Sequence, residues 1–66
     1  MTRADIKQRL ITIGLLVRAG NRDAAIHCER QLHADVLRAI ADGKAGTAEA
    51  REALRSLELE FPRSAA

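Results

Sequence analysis

Three backbone interruptions divide this chain into stretches that each read as a helix. Gly20-Asn21 and the run Gly43-Lys44-Ala45-Gly46-Thr47 are helix stops followed at once by residues that cap a new helix, and Pro62 forbids continuation past Phe61. The first stretch opens on Thr2-Arg3-Ala4-Asp5, a Thr at the N-cap with an acid three residues on, and predicts a helix over about 3–19. Asn21 caps a second helix over about 22–42, and Thr47 caps a third over about 48–61, with Glu49 and Glu52 near its positive end. The expectation is an all-α fold: an antiparallel helical hairpin plus a short third helix, forming one domain over 1–61 with a flexible tail at 62–66.

Successive residues on a helix turn by about 100°, so the apolar positions can be assigned to faces. The first helix has a main stripe of Ile6, Leu10, Ile13 and Val17 and a second stripe of Ala4, Ile11 and Leu15, too far round for one partner helix to cover both. The second helix presents Ala25, Ile26, Leu32, Val36, Leu37 and Ile40 on one broad face, and the third offers Ala50, Leu54, Leu57 and Phe61. Thirteen residues are Ala and Phe61 is the one aromatic, so the 66-residue chain lacks the large side chains that fill a core. A core this thin favours a second chain, and the sequence predicts a homodimeric helical bundle over the alternative, a monomeric three-helix bundle. Ala4, Ile11 and Leu15 are the expected dimer contacts. Gly14, in mid-helix, marks either a close helix crossing or a tolerated glycine.

The segment His27-Cys28-Glu29-Arg30-Gln31-Leu32-His33 has the composition of a metal site but not its geometry. On a helix His27, Cys28 and His33 point about 100° or more apart and cannot converge on one ion. Glu29 and His33, four apart, share the apolar face, which predicts a hydrogen-bonding pair at a helix interface or at the dimer interface. A lone Cys28 excludes an internal disulfide and reads as a small buried hydrophobe. With no Gly-rich phosphate loop, no CxxC and no Ser/His/Asp arrangement, the sequence points away from an enzyme and implies no cofactor or metal.

Eleven basic residues against nine acidic give a net charge of +2, too little to imply a polyanion partner. Arg3, Lys7 and Arg18 nevertheless fall on one side of the first helix, with Arg22 just beyond the turn, and form an electropositive edge. That edge and Phe61 are the candidate contacts for a partner, with the last core contact of the third helix as the favoured alternative for Phe61. Nucleic acid is the weaker expectation, because no aromatics interleave with the basic residues for base stacking. The longest strongly apolar run, Leu10 to Val17, is too short to span a bilayer, and a cytoplasmic location is expected.

Two segments, Leu32-His33-Ala34-Asp35-Val36-Leu37-Arg38-Ala39-Ile40-Ala41-Asp42-Gly43 and Leu57-Glu58-Leu59-Glu60-Phe61-Pro62-Arg63, resemble small helical proteins encoded in the early regions of Mu-like Pseudomonas phages, of the quorum-sensing anti-activator type. The resemblance covers about a third of the chain. It implies a phage-encoded inhibitor that binds a host transcriptional activator of quorum sensing, the pilus assembly ATPase, or both. A small nucleic-acid-binding regulator and a structural or antitoxin-like helical module are the alternatives.

Overall fold

Each helix begins and ends on local hydrogen bonds written in the chain. Residues 1–63 are described by a computed structural model, in which α1 spans Arg3–Arg18, α2 Arg22–Ala41 and α3 Thr47–Leu54, followed by a 3-10 turn over Arg55–Glu58. Thr2 and Asp5 form a reciprocal capping box: the Thr2 N–H donates to Asp5 Oδ2 at 3.0 Å and the Asp5 N–H to Thr2 Oγ1 at 3.2 Å. At the other end of α1, Gly20 takes φ +76° and the N–H of Asn21 reaches back to the Leu16 carbonyl at 2.9 Å. Gly43, at φ +72°, ends α2 in the same way, with Lys44 donating to the Ala39 carbonyl at 2.8 Å. In both turns the left-handed backbone suits glycine and satisfies carbonyls left open at the helix end. The Asn21 side chain then accepts from the Ala24 N–H at 3.3 Å, so α2 starts immediately and folds back against α1.

The core lies between the three helices. Ile6 and Ile13 of α1, Ala25, Ile26, Leu32 and Val36 of α2 and Ala53 of α3 are buried, and Leu10, Leu16, Val17, Cys28, Leu59 and Phe61 pack around them. The all-α class and the α1–α2 hairpin expected from the sequence are present. One polar clamp was not foreseen: Asp35 of α2 accepts from Arg9 of α1 at 2.9 Å, and also from Gln31 at 3.0 Å and Arg38 at 3.2 Å.

The third helix departs from expectation. Gly46, one residue before the expected Thr47, is the N-cap, and its N–H donates to Glu49 Oε1 at 2.9 Å. At the far end, α3 stops at Leu54 instead of continuing to Phe61, the backbone tightens, and Leu59 is extended at φ −77°, ψ 122°. Two causes act together. A residue before proline is disfavoured in the helical region, which sets Phe61 against the helix. The Ser56 carbonyl accepts from the Leu59 N–H three residues on, at 3.1 Å, and also from the Arg63 guanidinium at 2.9 Å, and the Leu59 carbonyl accepts from Arg63 at 2.8 Å. Ser56, three and four residues after buried Ala53 and Glu52, continues the inward face and is fully buried, whereas Leu54, about 100° round α3 from Ala53, and Leu57, in the tighter turn, are exposed, contrary to their expected place in the core. Leu37 and Ile40 of α2 are also exposed where core contacts were expected. Leu37 sits about 100° round the helix from buried Val36, outside the arc that the other helices cover.

Candidate protein-interaction site

A groove runs between α1 and the α3 to 3-10 segment. Leu10, Ile11, Gly14 and Leu15 of α1 and Leu59 opposite supply its apolar surface, with Lys7 and Arg18 on the α1 rim and Glu52, Arg55 and Glu58 on the other. The two walls run in the same direction. Near one end Arg3 approaches Glu52 at 3.7 Å, and near the other the space beside Gly14 faces Leu59. A methyl group placed on Gly14 would meet Leu59 Cδ2 at 3.9 Å, an ordinary contact, so of the two readings of this glycine the structure supports tolerance.

Ile11 and Leu15, two of the three expected dimer contacts, are more than half exposed and stand at this groove; Ala4 is exposed outside its lining. The rim opposite them was missed in the sequence. Glu52, Arg55 and Glu58 follow a three-residue helical spacing that places them along one side, but which side faced α1 depended on how α3 ends. Glu52 is buried and doubly engaged, by Arg55 at 3.1 Å and by Arg3. Glu58 is largely exposed, with Arg55 Nε 3.9 Å away.

Glu29 and His33, expected at the dimer interface, are instead engaged within the chain. Glu29 is only 5% exposed and takes a two-pronged ion pair from Arg63, at 2.8 Å from Nε and 3.2 Å from the terminal nitrogen. His33 Nε2 lies 2.8 Å from Ser56 Oγ. These partners are within reach because Arg63 returns to Glu29 of α2 after the short α3. Burial raises the Glu29 pKa, but hydrogen bonds from Arg63 and the Ser56 hydroxyl, with the charges of Arg63 and His33, outweigh it and hold the carboxyl below its ordinary value. Arg63 also stacks on Phe61, 4.2 Å from the ring centroid, and Phe61 is half-buried against the core rather than presented as an exposed anchor. The tail expected at 62–66 is therefore anchored at Arg63, while 64–66 lie outside the described residues.

The basic edge is divided. Arg3 is turned to Glu52 and Arg22 lies 3.9 Å from Asp23, whereas Lys7 and Arg18 form no ion pair among the described residues. Among those residues no group of three His, Cys, Asp or Glu side chains is placed to hold a metal ion, and no helix is long and apolar enough to cross a membrane.

These features define a small three-helix protein with an apolar groove and charged rims. No family model, curated protein or solved structure matches the chain.

Proposed function

We propose that the protein is a non-enzymatic interaction module, a homodimer joined through the α1 groove that uses a second apolar face to bind and inhibit a regulatory protein. The observation that carries this reading is the balance of large aliphatic side chains. Five are buried (Ile6, Ile13, Ile26, Leu32 and Val36), and six are 37% to 66% exposed (Ile11, Leu15, Leu37, Ile40, Leu54 and Leu57). Exposed apolar groups gathered on helical faces are the usual material of protein interfaces.

The six fall into two sets. Ile11 and Leu15 belong to the groove. Leu37 and Ile40 on α2, with Leu54 and Leu57 on the α3 to 3-10 segment, are separate from its lining. Leu37 follows His33 by one turn and Leu57 follows Ser56, so these two flank the His33–Ser56 contact in the chain. A dimer that covers the first set leaves the second for a partner.

The resemblance of 32–43 and 57–63 to early-region phage proteins makes that partner a host quorum-sensing activator or the pilus assembly ATPase, met in the host cytoplasm. The test is direct titration of each purified host protein with the wild type and with Leu37→Glu and Leu54→Glu. Saturable binding that either substitution weakens at least tenfold supports the reading, and no binding to either protein overturns the assignment to host regulators.

A further inference from the structure

The groups around Arg63 have the chemistry of a receptor for its side chain. Glu29 presents both carboxylate oxygens to the guanidinium, 2.8 Å from Nε and 3.2 Å from Nη2. The carbonyls of Ser56 and Leu59 accept from Nη2 at 2.9 and 2.8 Å, the Phe61 carbonyl accepts from Nη1 at 3.4 Å, and the Phe61 ring centroid lies 4.2 Å from the guanidinium carbon. A carboxylate fork with carbonyl oxygens beside it suits the planar, five-donor guanidinium and not the compact ammonium of a lysine. The deepest of these groups are held by contacts that do not involve Arg63: Glu29 is buried in the middle of α2, and Ser56, fully buried, has its hydroxyl 2.8 Å from His33 Nε2. The occupant is held less firmly. Among the described residues no backbone–backbone hydrogen bond reaches 60–63, and the Arg63 side chain keeps a third of its surface in water.

We propose that Glu29 and the carbonyls of Ser56 and Leu59 form a binding site for an arginine side chain, and that Arg63 is a tethered ligand occluding it. The segment 60–63 is the closure of this site: when it lifts, an arginine displayed by another protein meets the fork that Arg63 has left. A tethered group competes at a high effective concentration, so the site stays closed to a free arginine in the wild type. Removing the Arg63 side chain takes away the competitor and leaves Glu29 buried without a counter-charge, which drives a free guanidinium into the vacated place.

The experiment titrates Arg63→Ala, in the full chain, with N-acetyl-arginine amide and follows the thermal midpoint by circular dichroism. N-acetyl-lysine amide, of the same charge, and the double variant Glu29→Gln/Arg63→Ala are the controls. The expected result is a saturable rise of the midpoint, about 5 °C or more at ten times the dissociation constant, with less than a third of that from the lysine compound and none in the double variant. If Arg63→Ala is unfolded alone, the arginine compound is expected to restore its helical signal and the lysine compound is not. An equal response to lysine overturns the proposal, because charge alone would then account for it. A response that survives in the double variant overturns it too, because Glu29 would not be the receiving group. No saturable response, from the folded or the unfolded variant, overturns it outright.

Discussion

Arg63 gathers at one residue most of the side-chain contacts that hold the end of the third segment. Its guanidinium satisfies the carbonyls of Ser56 and Leu59, neutralises Glu29 and lies over Phe61, so it caps the 3-10 turn and ties 59–63 to α2 in one contact set. Removing it leaves Glu29 buried without a counter-charge, a change that costs several kcal/mol in a fully buried pair and about 2 kcal/mol here, where Arg63 keeps a third of its surface in water. Arg63→Ala is expected to show that loss in urea unfolding, and Arg63→Lys to recover only part of it, because an ammonium cannot reproduce the two-pronged geometry. The pH dependence has a definite sign. A carboxyl whose folded pKa lies below its unfolded value stabilises the fold above the unfolded pKa of about 4.3, and that contribution disappears as pH falls through the folded value. Glu29→Gln is therefore expected to lower stability at neutral pH and to flatten its decline under acid. An unchanged acid limb would assign that decline to Asp35, whose hydrogen bond from Arg9 holds its carboxyl low, and to Asp5, held low by the Thr2 backbone N–H.

At the scale of helices, glycine separates two kinds of position. Gly14 lies in the middle of α1 with ordinary room for a methyl group, so Gly14→Ala is expected to raise stability by roughly 0.5–1 kcal/mol through helix propensity. Gly20 sits at positive φ in the α1–α2 turn, and Gly20→Ala is expected to lower stability by about 1 kcal/mol. Opposite shifts in thermal midpoint for the two variants check both statements. The same contrast explains what the sequence made legible. The starts of α1 and α2 and the stops at Gly20 and Gly43 are decided within four or five residues, and the burial of Ile6, Ile13, Leu32 and Val36 follows from a period that a single helix carries. The end of α3 is decided by Arg63 acting on Ser56, Leu59 and the distant Glu29, a long-range contact with no local signature. That contact engages Glu29 within the chain and sets the segment that carries exposed Leu57 and the Glu58 end of the groove rim. The α1 wall, with Ile11 and Leu15, was readable from periodicity alone; its opposite wall was not.

For the whole molecule, the question is how so few large side chains sustain a fold. Two of the seven buried hydrophobic residues are alanines, and burying an alanine removes little apolar surface from water. Domains of this size are marginal when isolated, and covering Ile11 and Leu15 on each copy adds buried apolar area without adding chain. If association supplies part of the stability, folding and dimerisation are linked, and the melting temperature must rise with protein concentration. The expected result is a wild-type midpoint that climbs by several degrees over a hundredfold increase in concentration, with Leu15→Glu melting lower and showing no concentration dependence. Leu15 is more than half exposed in the single chain, so its replacement removes no core contact; a lower midpoint in the variant at high concentration would measure the second copy rather than a damaged interior. A wild-type midpoint that stays fixed across the series would mean that the buried set formed by Ile6, Ile13, Leu32, Val36 and their neighbours, braced by the Asp35 and Glu29 ion pairs, is sufficient on its own.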